Sequence, residues 1–70
     1  MEKKTFNVIV DASFQGNRID KFLQLKLSDI SRTRLQNLIR DGNVKVNDIT
    51  IHETSKKIRN KDKIDINLDI

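Results

Sequence analysis

The apolar residues of this chain change their period at Gly42. Before it they recur three and four apart. Ile19, Phe22, Leu23 and Leu27 make one stripe, and Leu35, Leu38 and Ile39 make another. After it they alternate. Val44 and Val46 are separated by Lys45, and Ile64, Ile66 and Leu68 are separated by Asp65 and Asn67. A 3.6-residue period places side chains on one face of a helix, and a two-residue period places them on one face of a strand. The chain therefore carries helices first and strands second. The stretch "TFNVIVD", with Phe6, Val8 and Val10 alternating, adds a strand ahead of the helices. This order predicts an α+β domain: two short packed helices against a small, mostly antiparallel sheet.

Local signals mark the boundaries. "ASFQGN" reads as a turn, and Asn17 with Asp20 three residues later resembles a capping box for a helix over "RIDKFLQLKL". Ser28–Ile30 leave room only for a tight corner. Ser31 is a suitable N-cap for the second helix, and Gly42 suits a left-handed stop. Asn47-Asp48 tolerates positive φ and predicts a tight hairpin. "HETSKKIRNKDK" is a polar connection with Ile58 as its one apolar anchor.

Seventy residues make one domain with a thin core. There is no Cys and a single His, His52, so disulfides, thiolate metal sites and multi-histidine sites are excluded. No cofactor or metal is expected. No apolar run reaches the roughly 20 residues of a membrane span, and the N-terminal stretch is too short and too alternating for a signal peptide. A cytoplasmic monomer with no small-molecule ligand is the expectation. No glycine-rich phosphate loop, nucleophile triad or paired carboxylates occur, so the chain alone is not expected to be an enzyme.

The net charge is +4. It is concentrated in two segments: seven bases against three acids between Arg18 and Lys45, and five against one between Lys56 and Lys63. Such segments suit an acidic partner, nucleic acid first among them. On the second helix, Thr33, Gln36, Asn37 and Arg40 fall outward, with Arg32 and Arg34 flanking the apolar stripe. Arginine forks near a helix N-terminus suit phosphates. There is no Tyr or Trp, so aromatic base-stacking platforms are not expected. A structured RNA read by shape and phosphate position fits better. The candidate RNA-binding residues are Arg18, Ser31, Arg32, Thr33, Arg34, Arg40, Lys45, Asn47, Lys56 and Lys57. Asp20 and Asp41 read as a helix-start acid and a helix-end surface residue.

"RIDKFL", "SRTRLQNLIRDGNVKVN" and "DKIDI", in this order, resemble the S-four RNA-binding domain, or alpha-L RNA-binding motif. The matching positions are Arg18, Ile19 and Asp20; Ser31 and Arg32; and Gly42, Val44, Val46 and Asn47. With the strand ahead of them, they most resemble the N-terminal domain of large-subunit ribosomal RNA pseudouridine synthases. The resemblance implies a single domain over 1–70, with leading strand and turn at 1–15 and the core motif at 16–68. It would be the N-terminal fragment of a longer enzyme, an isomerase acting in rRNA modification. Its function would be to dock that enzyme on structured, large-subunit ribosomal RNA. "NRIDK" is similar to the family's catalytic Gly-Arg-Leu-Asp motif but belongs to the RNA-binding helix, so Asp20 is assigned no catalysis. Asp48 stands where the family usually has Gly, which leaves the turn type open. "HETSKKI" lacks the family's usual Pro. Alternative hosts are a ribosome-associated heat-shock protein or a tyrosyl-tRNA synthetase tail. A basic protein-interaction domain is the reading from another class.

Overall fold

The computed structural model describes residues 5–68. The outer limits of the expected 1–70 domain, including Lys3, Lys4 and Asp69, lie outside the described residues. The elements run β1 (Thr5–Ile9), a 3-10 turn (Ala12–Phe14), α1 (Ile19–Lys26), α2 (Arg32–Arg40), β2 (Val44–Val46), β3 (Ile49–Ile51) and β4 (Lys63–Asn67). The four strands form one sheet in the order β1-β4-β2-β3, and every pairing is antiparallel. Both helices lie on one face of this sheet, as the α+β reading expects.

The register explains the face. Phe6 and Val8 stand opposite Ile66 and Ile64, which stand opposite Val44 and Val46. Strand side chains alternate, so all six point to the helices. There they meet Ile19, Phe22 and Leu23 of α1 and Leu35 and Ile39 of α2, all fully buried. Val10 and Ile58 complete this core. Burying each such side chain contributes about 1.5–3 kcal/mol. Leu38, assigned to the same stripe by its spacing, is only partly buried at the edge of the core. Phe14 packs from the 3-10 turn edge-on against Phe22, with ring centroids 5.0 Å apart.

Ser31 caps α2 as its sequence position predicts, its Oγ accepting from the Arg34 amide at 3.2 Å. The helix ends at Gly42, with φ at +83°. The Gly42 amide donates to the Ile39 carbonyl and the Asn43 amide to the Leu38 carbonyl. This is the Schellman pattern, which satisfies carbonyls that the helix end would otherwise orphan. In the hairpin, Asn47 and Asp48 take φ of 53° and 68°. Positive φ at both central residues is what a type I′ turn requires, and Asp supplies it here without the family's usual Gly.

The capping box expected from Asn17 and Asp20 is not made. Arg18 is the N-cap residue of α1, with no side-chain cap bond. Carbonyls of the 52–62 connection take the first amides instead: Ile19 donates to Lys56 at 2.8 Å and Asp20 to Thr54 at 3.4 Å. Ile58 is fully buried, and its amide donates to the Asn17 carbonyl at 3.0 Å. The polar connection is thus fastened to the start of α1 by backbone bonds and one apolar anchor.

Candidate nucleic-acid interface

With its amide bonded to the connection, the Asp20 side chain turns inward. It is the one buried charged residue among those described, with 0% exposure. A carboxylate out of water needs donors. Oδ1 accepts from Arg18 Nε at 3.1 Å and from the Lys21 amide at 2.8 Å. Oδ2 accepts from Arg18 Nη2 at 3.0 Å and from Gln36 Nε2 at 3.1 Å. Arg32 Nη2 stands 3.6 Å from the same oxygen. Burial alone pushes the Asp20 carboxyl up. The bonds from Gln36, Arg18 and the Lys21 amide, with the Arg18 charge, outweigh it and hold the group below the ordinary carboxylate range. Asp20 is therefore ionised at neutral pH.

Two guanidinium groups share this one carboxylate, which leaves the cluster with an excess positive charge. The Arg18 and Arg32 side chains remain 41% and 53% exposed, enough for their outer N–H groups to meet a ligand. With Lys21, Gln24 and Leu25 they line a shallow groove on the helical side. Gln36, placed on the outer face of α2 by its position on the helical wheel, instead reaches back across the helix pair to Asp20. The reason is the buried acceptor, which is sixteen residues away and beyond any local pattern.

The two basic segments meet at this corner. Arg18 and Lys57 form an antiparallel backbone bridge, and the Lys56 carbonyl holds the next amide of α1. Ser31, Thr33 and Arg34 are exposed in the first turn of α2, beside Arg32. Ser31 Oγ accepts the cap bond, and its own proton is free to donate to a ligand. The structure thus brings together Arg18, Ser31, Arg32, Thr33, Arg34, Lys56 and Lys57.

Three candidate residues lie elsewhere. Arg40 is at the opposite end of α2, where its carbonyl pairs with His52 Nδ1 at 3.0 Å. Lys45 points to the sheet face away from the helices, opposite Asp65 of β4 in the register. The Asn47 amide faces the protein at both ends: Nδ2 donates to Asp62 at 3.0 Å, and Oδ1 accepts from the Lys63 amide at 3.0 Å. It fastens the hairpin to the start of β4. Sequence reasoning missed Asp20 and Gln36 as the supports of the arginines. The Arg-x-Asp spacing is visible in the sequence, but the burial of the acid is not.

Among the described residues, no group of three or more His, Cys, Asp or Glu is placed to hold a metal. No helix among them is long and apolar enough to cross a membrane. A search of curated proteins finds no match to the chain. The family model for the S4 domain matches residues 17–64, from just before α1 into β4. What matches is an RNA-binding domain, not a catalytic one. By that match, its two helices and its antiparallel sheet, the chain belongs to the S4 domain family of RNA-binding domains.

Proposed function

We propose that this domain docks a pseudouridine synthase on structured, large-subunit ribosomal RNA and is not catalytic by itself. The observation that carries the RNA-docking part is the basic corner. Arg18 and Arg32 are held side by side by one buried carboxylate, and Lys57 is bridged to Arg18 from the second basic segment. In this reading Arg18, Arg32, Arg34, Lys56 and Lys57 contact phosphates, and Ser31 and Thr33 contact sugar or phosphate oxygens. Arg40 and Lys45 act at longer range. The strand ahead of α1 supports the synthase as host, because β1 is an integral part of the sheet, paired along its length with β4. The assembly is cytoplasmic and the domain is a monomer in this reading.

The test is a titration of ribosomal RNA stems from both subunits, and of a transfer RNA, at several salt concentrations. Tighter binding to a large-subunit stem is expected. Arg32→Ala and Arg34→Ala should each reduce the log–log salt slope by about 0.9 for a paired stem and about 0.7 for a single strand. Parent-like affinity and slope in both variants would reduce α2 to a solvated face. Stronger binding to the transfer RNA would favour the synthetase host instead. Uridine conversion by the 70-residue chain alone would overturn the non-catalytic reading.

A further inference from the structure

A second concavity lies between the β2–β3 hairpin and the 52–62 connection. Its floor is Val46, Ile49 and Ile51 of the hairpin, and its rim carries Lys56, Lys57 and Arg59. The register explains the floor. Val46 pairs with Ile49 and Val44 with Ile51, so the β3 isoleucines point to the same side as the buried valines. But β3 is the edge strand, and cover is lost across it. Val46 is 5% exposed and Ile49 is 68% exposed. A large β-branched apolar side chain is thus presented to solvent within a basic rim.

The rim is net positive, with three cations against one carboxylate. Asp62 lies in the same groove, but its carboxylate is engaged: Oδ1 accepts from Asn47 Nδ2 and Oδ2 from the Arg59 amide at 2.9 Å. Among the described residues, no ion pair is made by Lys56, Lys57 or Arg59.

We propose that this groove seats one unpaired RNA base. The inference rests on the RNA-docking reading above and adds a feature of the RNA to it. A nucleotide presents a flat, weakly polar ring and an anion one sugar away. The groove presents an aliphatic floor with cations at its edge. The base lies against Ile49 and Ile51, and the flanking phosphates meet Lys56, Lys57 and Arg59. Lys57 is also bridged to Arg18, so a strand leaving the groove passes directly onto the arginine corner. The floor offers an apolar platform without the aromatic rings the sequence lacks. The RNA recognised is then a stem with an extruded base beside it, not a uniform duplex.

The experiment compares a fully paired RNA hairpin with the same hairpin carrying a single-nucleotide bulge, by fluorescence anisotropy at two salt concentrations. The parent should prefer the bulged RNA by about five- to tenfold, the effect of covering on the order of 40–55 Å² of apolar surface. Ile49→Thr keeps the branched β-carbon and should abolish that preference while leaving affinity for the paired stem unchanged. Ile49→Val should keep most of it. Arg32→Ala should weaken both RNAs equally. Equal binding of the two RNAs by the parent, or an equal loss for both in Ile49→Thr, overturns the base seat and leaves the docking reading intact. Failure of the parent to bind either RNA overturns both. Binding of a short Glu- and Leu-rich peptide, lost in Ile49→Thr and without any bulge preference, assigns the groove to a protein partner and also overturns it.

Discussion

Asp20→Asn separates charge from geometry at the basic corner. The substitution keeps the shape of the side chain and removes its negative charge. A carboxylate accepts at both oxygens, whereas an amide accepts at one and donates at the other. Whichever way the substituted amide turns, its NH2 faces two donors: Arg18 Nε and the Lys21 amide, or Arg18 Nη2 and Gln36 Nε2. Facing Gln36, the loss is partly recovered, because that amide can turn and accept through Oε1. One or two bonds are therefore lost, at least one of them to Arg18, each worth about 0.5–3 kcal/mol. Arg18 is 41% exposed, so water recovers part of its share. The net cost is about 1–3 kcal/mol, or roughly 5–20 °C in the melting temperature of a domain this size. The RNA result is the sharper one. If only net charge mattered, removing an acid would tighten binding and steepen the salt slope. If Asp20 positions Arg18 and Arg32, binding weakens although net charge rises. Circular dichroism melts and salt-series RNA titrations well below the melting temperature read both. A variant that melts within about 2 °C of the parent and binds RNA more tightly would refute the positioning argument. Acid provides a check on the sign. The Asp20 carboxyl titrates lower in the folded chain than in the unfolded one. Its contribution is therefore complete above the unfolded value of about 3.9 and is lost as pH falls from there through the folded value. That part of the acid sensitivity should be absent in Asp20→Asn.

The two glycines should respond differently to Ala, although both hold positive φ. A Cβ at Gly42 would meet the His52 ring at 3.0 Å, whereas one at Gly16 would meet nothing within 4 Å. Gly16→Ala should cost only the left-handed strain, about 1–2 kcal/mol. Gly42→Ala should cost more, and the excess should shrink in the Gly42→Ala, His52→Ala double variant measured by urea titration. Ser31→Ala removes the α2 cap and should lower stability by about 1 kcal/mol, seen as a shifted urea midpoint at unchanged m-value. Phe22→Ala should cost about 3–5 kcal/mol, a large fraction of what a domain this small possesses. A parent-like melt there would contradict the buried position of the ring.

Sequence reasoning reached whatever is encoded within a few residues. Ser31, Gly42 and Asn47-Asp48 each sit in the cap, stop or turn that their own chemistry favours, and the period change at Gly42 located the transition from helix to sheet. The errors came from partners distant in sequence. Asn17 and Asp20 have the right spacing for a capping box, but carbonyls from Thr54 and Lys56 reached the amides first. Gln36 sits on the polar side of its helix by periodicity, yet a buried acceptor on α1 draws it in. Lys45 stands among the other bases in the sequence. The parity of its strand, between buried Val44 and Val46, already directs it to the far face. The candidate site was legible as a set of basic residues, and its support by Asp20 was not.

The strand order β1-β4-β2-β3 also sets the sequence of events in which the domain assembles. The helix pair and the β2–β3 hairpin join near neighbours and close short loops, steps that are quick. β1 has no partner among them. It pairs only with β4, the most distant strand in the chain, and that loop carries the largest closure entropy. Until β4 arrives, Phe6 and Val8 have no place to bury and β2 presents an open edge, the kind of template that recruits other chains. When β4 docks, it completes the ladder to β1 and the ladder to β2 in one step. A nascent chain therefore gains its helical corner early, while the sheet beneath it closes only after residues 63–67 have been made.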